Sequence, residues 1–117
     1  MEMEYVRVAK VTDLPENRMI VVDLGTKEVL LANADGVLYA IANKCTHMGG
    51  SLVYGTLEGE CVRCPRHDAL FDLQTGRNLE GARVGFLKIK LKDTECFPVK
   101  IDGEDILVGT RQTIKVE

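Results

Sequence analysis

The sequence lacks a long hydrophobic run and a basic cluster, and each absence excludes a class of partner. The longest apolar stretches, residues 29–32 and 37–42, are far shorter than the roughly 18 residues that a membrane span requires. No basic run is longer than a pair. The 15 Lys and Arg residues against 18 Asp and Glu give a formal net charge of −3. We therefore expect neither a membrane nor a nucleic-acid partner.

Length and composition predict one globular domain that covers residues 1–117. Hydrophobic residues make up 45% of the 117 and charged residues 28%, a balance typical of a folded domain rather than a disordered chain. No internal repeat, low-complexity tract or linker interrupts it. The first four residues are acidic at two positions and do not resemble a secretory signal, so we expect a soluble, cytoplasmic protein.

Short apolar segments predict an all-β fold. Seven segments rich in β-branched and aliphatic residues are predicted as strands: residues 5–9, 19–22, 28–32, 37–41, 87–91, 97–101 and 106–109. In the fifth segment Leu87, Ile89 and Leu91 alternate with lysines, which predicts one face toward the core and one toward water. Helical periodicity is absent apart from one predicted turn near residues 12–14, which Pro15 ends.

Turn signals between these segments favour antiparallel pairing. Gly25-Thr26, Asp35-Gly36 and Asp102-Gly103 each lie between or beside two apolar runs. Tight hairpins need residues that tolerate positive φ, and glycine and aspartate meet that need. The sequence therefore predicts antiparallel sheets.

The sequence has only two histidines, and each closely follows a cysteine. The pairs Cys45/His47 and Cys64/His67 lie in two segments, residues 43–55 and 61–76, that break the strand pattern and are predicted as loops. The residues between His47 and Cys64 are enough to form two antiparallel strands. The two Cys/His pairs can therefore meet at one end of a β-sandwich. Reduced thiols or bound metal are expected rather than disulfides.

Two kinds of metal centre suit two thiolates and two imidazoles. A tetrahedral zinc ion accepts two of each, so a structural zinc-binding module is one alternative. Zinc ligands usually come as a pair of cysteines and a pair of histidines, whereas each loop here supplies one of each. That order favours a 2Fe-2S cluster in which both cysteines bind one iron and both histidines bind the other.

The two Cys/His segments resemble the two boxes of the Rieske family, Cys-x-His and Cys-x-x-His. Segments 38–43, 71–72, 75–76 and 97–101 also resemble Rieske-type ferredoxins, so the resemblance covers nearly the whole chain. It implies an antiparallel β-sandwich of about ten strands with the cluster held by two loops at one tip. It also implies that Cys45 and Cys64 bind the inner iron of one 2Fe-2S cluster, and that His47 and His67 bind the outer, redox-active iron.

The resemblance implies a function as well. Ferredoxins of this soluble type carry one electron from a flavin-dependent reductase to a terminal enzyme, commonly a ring-hydroxylating dioxygenase or a related oxygenase. A small subunit of a nitrite-reductase-like complex is the alternative, although similar domains there often lack the ligands. A terminal oxygenase is excluded, because its mononuclear iron needs two further histidines and none is left. We therefore expect an electron-transfer protein and not an enzyme.

Four positions near the boxes predict a low reduction potential. High-potential family members resemble one another in a disulfide between the loops and in Ser and Tyr hydroxyls that donate to the cluster sulfurs. This chain has Gly50 and Arg66 where those cysteines would lie, and Ala69 and Phe71 where the hydroxyls would lie. Without donors the reduced cluster loses stabilisation, so the low end of the Rieske range is expected.

The remaining residues near the boxes have plainer expected roles. Cys61 and Cys96 are expected to be small buried apolar side chains. Asp68 follows His67 at a position that is often glycine in the family, which puts the conformation of the local turn in question. Three basic residues form a candidate docking rim, although isolated surface charges are more often only solvated: Lys44, Arg63 and Arg66.

Overall fold

The protein is all-β in the part of the chain that the computed structural model describes, residues 3–25, 27–45, 50–66 and 68–111. Two 3₁₀ turns, Val11–Asp13 and Leu52–Tyr54, accompany the strands. The strands in these ranges are β1 Met3–Lys10, β2 Arg18–Asp23, β3 Glu28–Ala34, β4 Val37–Ala42, β5 Thr56–Glu58, β6 Cys61–Arg63, β7 Leu70–Asp72, β8 Asn78–Glu80, β9 Ala82–Val84, β10 Leu87–Ile89, β11 Cys96–Phe97, β12 Val99–Asp102 and β13 Asp105–Arg111.

The strands form three antiparallel sheets and one separate hairpin. The first sheet has the order β1-β13-β12, the second β11-β4-β3-β2 and the third β5-β6-β7-β8, while β9 pairs only with β10 among the described strands. Every pairing is antiparallel. This confirms the predicted fold class and places the second cysteine segment in the third sheet, as β6, β7 and the residues that join them.

The predicted hairpin turns are confirmed where the structure describes them. Asp35 and Gly36 have φ of 52° and 89° between β3 and β4, and Gly103 has φ of 62° between β12 and β13. Gly25 has φ of 93° at the β2–β3 turn, and Thr26 lies outside the described residues. These positive φ values explain why each turn contains glycine or aspartate.

The second sheet is buried on both faces. Leu30 and Ala32 face a core that contains Val62 and Phe71 of the third sheet. On the opposite face, Val29 and Leu31 belong to a core shared with residues of β13. Such two-sided burial explains why the sequence of β3 is a continuous apolar run rather than an alternating pattern.

The structure differs from the sequence-based expectation in the number and place of strands. Residues 56–58, 61–63, 70–72, 78–80 and 82–84 form short strands, so the second cysteine segment, residues 61–76, is not a loop throughout, and the described strands exceed the expected ten. Three residues are too few to show an alternating pattern, and only the pairing register reveals them. Pro98 divides the predicted segment 97–101 between β11 and β12, because proline lacks the N–H that a ladder needs.

Two burial predictions were wrong. Leu87 and Ile89 are 57% and 41% exposed, and among the described strands β10 pairs only with β9. Cys96 is exposed rather than buried, because it lies on β11, the edge strand of the second sheet. No helix in the described ranges is long and apolar enough to cross a membrane.

Candidate metal centre

The first cysteine loop begins just after β4. Cys45 is 1% exposed, and its N–H donates to the carbonyl of Gly50 at 2.7 Å. The buried side chain of Asn43 fixes both flanks, because its Oδ1 accepts from the Val53 N–H at 2.8 Å and its Nδ2 donates to Glu28 at 3.3 Å. The loop therefore starts from a rigid base.

The second cysteine loop repeats this backbone pattern directly after β6. Cys64 is also 1% exposed, and its N–H donates to the carbonyl of Ala69 at 2.7 Å. In both loops the cysteine N–H thus bonds the carbonyl five residues later. Asp68, the residue before Ala69, has φ of 59°, the left-handed conformation that favours glycine.

Contacts between the loops bring the two cysteines together. A Cβ built on Gly50 would lie 3.9 Å from Cys64 Sγ, so the end of the first loop touches the second cysteine. A Cβ on Gly55 would overlap the Arg63 carbonyl, so only glycine permits this backbone approach. Cys45 and Cys64 belong to one buried cluster of otherwise apolar side chains.

The two buried cysteines fit a metal cluster. None of the four cysteines, all of which the structure describes, forms a disulfide. A thiolate buried among apolar side chains is unstable unless a positive group compensates its charge. A coordinated metal gives that compensation and deprotonates the thiol. Two buried, unoxidised sulfur donors on touching loops are therefore suited to an iron-sulfur group.

Cys61 has the opposite electrostatic surroundings. Its half-buried thiol lies near the carboxylates of Asp72, Glu60 and Glu58. Burial raises the pKa of this thiol, and the three carboxylates raise it further. Cys61 therefore stays protonated at neutral pH, as suits a packing residue at the start of β6.

The guanidinium of Arg63, one of the three residues of the candidate docking rim, is held by contacts with neighbouring residues. Its Nε and Nη2 donate to the two carboxylate oxygens of Glu58 at 2.5 and 2.9 Å, and Glu80 lies 3.4 to 3.5 Å from Nη1 and Nη2. Nη1 also donates to the carbonyl of Asp68 at 2.8 Å. Arg63 thus joins β5 and β8 to the second cysteine loop.

The charges in this network stabilise one another. The hydrogen bond from Arg63 holds the pKa of the Glu58 carboxyl below its usual value. The hydrogen bonds to Glu58 and Glu80 raise the pKa of Arg63, so it stays charged at any accessible pH. Sequence reasoning missed this role, because only the strand register places Glu58 and Glu80 beside Arg63.

His47 and His67 lie outside the described residues, as do the other members of the first loop, residues 46–49. The structure therefore brings together Cys45 and Cys64 of the four predicted ligands. The full ligand set stays a prediction.

A family model assigns the chain. The model described as the Rieske [2Fe-2S] domain matches residues 4–84, which is more than half of the sequence. The chain belongs to the Rieske family. Its cofactor is a 2Fe-2S cluster of the Rieske type, in agreement with the two buried cysteines.

Several relatives of this Rieske protein are described as ferredoxin components of oxygenase systems. The ferredoxin component of the naphthalene 1,2-dioxygenase/salicylate 5-hydroxylase systems of Ralstonia sp is 32% identical over 108 residues, which cover 92% of this chain and 97% of the relative. The solved ferredoxin of carbazole 1,9a-dioxygenase from Nocardioides aromaticivorans IC177 is 28% identical with a TM-score of 0.75, covering 89% of this chain and 95% of that one. This Rieske protein is an electron carrier and not a catalytic enzyme.

A further solved structure shares the fold. A protein described as an NADH-dependent nitrite reductase small subunit from Mycobacterium tuberculosis has a TM-score of 0.79 and 20% identity, covering 97% of this chain and all of that chain. At this identity the likeness shows the fold alone.

The left-handed backbone conformation of Asp68 predicts how substitutions at this position change the stability of the protein. An L-residue in this conformation is less stable by about 1 kcal/mol than glycine, and aspartate by somewhat less. We expect Asp68→Gly to be at least as stable as wild type and Asp68→Ala to be the least stable of the three, as measured by urea unfolding of the loaded protein. Equal stability of the Ala and Gly variants would show that the carboxylate, and not the backbone, matters here.

Proposed function

We propose that this protein carries one electron at a time from a flavin-dependent reductase to a terminal oxygenase, using a cluster bound by Cys45, His47, Cys64 and His67. The main support is the relative of 32% identity that covers almost the whole chain and is itself the ferredoxin component of a dioxygenase system. The two buried cysteines on touching loops support the ligand set. The cluster supplies a reversible one-electron redox centre.

The chain itself supplies ligands, a dry environment and a rigid frame. Cys45 and Cys64 would bind as thiolates in the apolar core, where Leu52 and Phe71 exclude water from their side. His47 and His67 would bind as neutral imidazoles. Two neutral ligands in place of thiolates make the site less negative, so an added electron is better tolerated than in an all-cysteine site.

The cytoplasm is the proposed compartment. The four cysteines are not joined to one another, which suits a reducing environment. A subunit of a nitrite-reductase-like complex was the alternative, but the similarity to such a subunit extends only to the fold. A structural zinc-binding module is disfavoured by the match to the Rieske [2Fe-2S] family.

A redox titration tests this function. We expect the purified, loaded protein to accept one electron per chain with a midpoint near the low end of the Rieske range, on the order of −150 mV. The reason is that Ala69 and Phe71 are fully buried in the same cluster as both cysteines, and neither side chain can donate a hydrogen bond. A midpoint above about +100 mV, in the upper half of that range, would contradict this argument.

A matched double variant checks the cause of the low potential. The pair Ala69→Ser and Phe71→Tyr adds two hydroxyl donors at these positions. Hydrogen bonds to the cluster sulfurs favour the more negative reduced state, so we expect the midpoint to rise by tens of millivolts. The single variant Phe97→Tyr is the control, because Phe97 lies in the other core. An equal rise in the control would show that the effect is not local.

A further inference from the structure

The β9–β10 hairpin has two chemically different faces. Val84 pairs with Leu87 and Ala82 with Ile89, so these four side chains share one face, and Arg83 pairs with Lys88 on the other. Gly85, with φ of 62°, and Phe86 form the two-residue turn between the strands. The result is an amphipathic hairpin with an aromatic residue at its tip.

The apolar face of this hairpin is exposed toward its tip, whereas Ala82 at its base is buried. Phe86 is 97% exposed, Leu87 57%, Ile89 41% and Val84 39%. Exposed apolar side chains that lie singly are ordinary, but a contiguous group on one element indicates an interaction site. A lone two-stranded hairpin gains little stability from its own pairing, and apolar side chains that stay exposed add none by burial.

The charge of the segment is opposite to that of the rest of the chain. Residues 82–92 contain four basic residues and no acidic one. Because the whole chain has a formal net charge of −3 and this segment contributes +4, the rest has −7. Arg83 and Lys88 are direct cross-strand neighbours, an arrangement that is unfavourable until an acidic surface approaches.

The hairpin leaves the third sheet at the end that holds the second cysteine loop. Leu70 begins β7 directly after that loop, and it pairs with Glu80 at the end of β8. Glu80 contacts Arg63, which donates to the carbonyl of Asp68 within the loop. Only Gly81 separates Glu80 from β9, so the base of the hairpin adjoins the metal centre.

We propose that the β9–β10 hairpin docks the reductase that supplies the electron, and that the contact face of this reductase is an apolar recess bordered by carboxylates. Phe86 fills the recess, and Arg83, Lys88 and Lys90 meet the carboxylates. This inference rests on the proposed electron-carrier function, and it names the partner surface of that carrier. An anionic membrane fits less well, because the other residues of the chain have a net charge of −7 and would be repelled.

Reduction kinetics test the proposal. The probe is the NAD(P)H-dependent reductase purified from the producing cells by its ability to reduce the loaded wild-type protein. We expect Phe86→Ser to raise KM for the carrier about 10-fold or more with kcat little changed, as removal of a central aromatic anchor does. The pair Lys88→Glu and Lys90→Glu should raise KM about as much at low salt and lose most of that effect near 0.5 M salt.

Matched variants serve as controls. Ile101→Ser removes a side chain that is 54% exposed on β12, and Lys10→Glu with Arg18→Glu makes the same charge change on β1 and β2. These controls should leave KM unchanged. All variants should keep the wild-type spectrum and midpoint potential, which shows that the metal centre is intact.

Two results would overturn the proposal in different ways. If no reductase reduces the wild type, the electron-carrier function fails and the docking surface with it. If the wild type is reduced and the hairpin variants keep its KM, the docking surface alone is wrong. The docking surface is also wrong if Phe86→Ser keeps KM but no longer binds phosphatidylcholine vesicles with about 30% phosphatidylserine. The same holds if Phe86→Ser keeps KM but no longer self-associates.

Discussion

Replacement of Cys45 or Cys64 by serine is expected to abolish the visible absorption of the purified protein. Both side chains are 1% exposed, so no other donor can reach the vacated position from solvent. Serine has a harder oxygen donor that iron-sulfur clusters accept poorly. His47→Ala and His67→Ala should remove the cluster or its Rieske electron paramagnetic resonance signal. The cluster content of each variant is measured by iron and sulfide analysis and by its electron paramagnetic resonance spectrum.

The other two cysteines supply matched controls. Cys61→Ala and Cys96→Ala should keep the cluster, because Cys61 has a raised pKa among carboxylates and Cys96 lies on an exposed edge strand. Loss of the cluster in Cys61→Ala, with retention in Cys64→Ser, would assign the second cysteine ligand to Cys61. Stoichiometric zinc without iron in anaerobically purified wild type would refute the cluster itself.

Arg63→Gln is expected to release the cluster about 5- to 30-fold faster in the presence of an iron chelator. The variant loses the hydrogen bond to the Asp68 carbonyl and leaves the Glu58 and Glu80 carboxylates close together. The Arg63 side chain is 25% exposed, so we expect a loss of about 1 to 2 kcal/mol in the stability of the second loop. Decay of the visible absorption measures the release rate.

Conservative changes separate geometry from charge at this position. Arg63→Lys keeps the charge but cannot bind Glu58 with two hydrogen bonds and reach Asp68, so it should rescue the rate only in part. Arg66→Gln, an exposed neighbour on the same loop, should behave as wild type. A rate for Arg63→Gln equal to that of Arg66→Gln would show that Arg63 does not hold the loop.

The ionisation of Glu58 predicts how the stability loss in Arg63→Gln depends on pH. Its carboxyl pKa is lower in the folded protein than its usual value of 4.5, so the ion pair contributes fully above that value and is lost as the pH falls through the folded-state pKa. The difference in urea stability between wild type and Arg63→Gln should therefore be constant near neutral pH and shrink below pH 4.5.

Residues 28–42 and the two boxes show what local sequence can determine. The apolar runs of β3 and β4, joined by Asp35 and Gly36, predicted a hairpin that the structure confirms, because turn geometry and strand propensity act over a few residues. The Cys/His boxes predicted the family for a similar reason. Metal ligands must be particular residue types at short spacings, so their pattern is visible in the sequence alone.

Tertiary structure decided how the remaining residues are used. Alternation in residues 87–91 indicated two different faces but could not show that Leu87 and Ile89 are exposed, since that depends on tertiary packing. Arg63 resembled a solvated charge until the register of β5, β6 and β8 placed two carboxylates and the Asp68 carbonyl around it. The sequence by itself thus determined the chemistry of the centre and the all-β fold, because both depend on local patterns. Only the packed sheets decided how the second loop is held and which surface is left exposed, because both depend on contacts between residues distant in the chain.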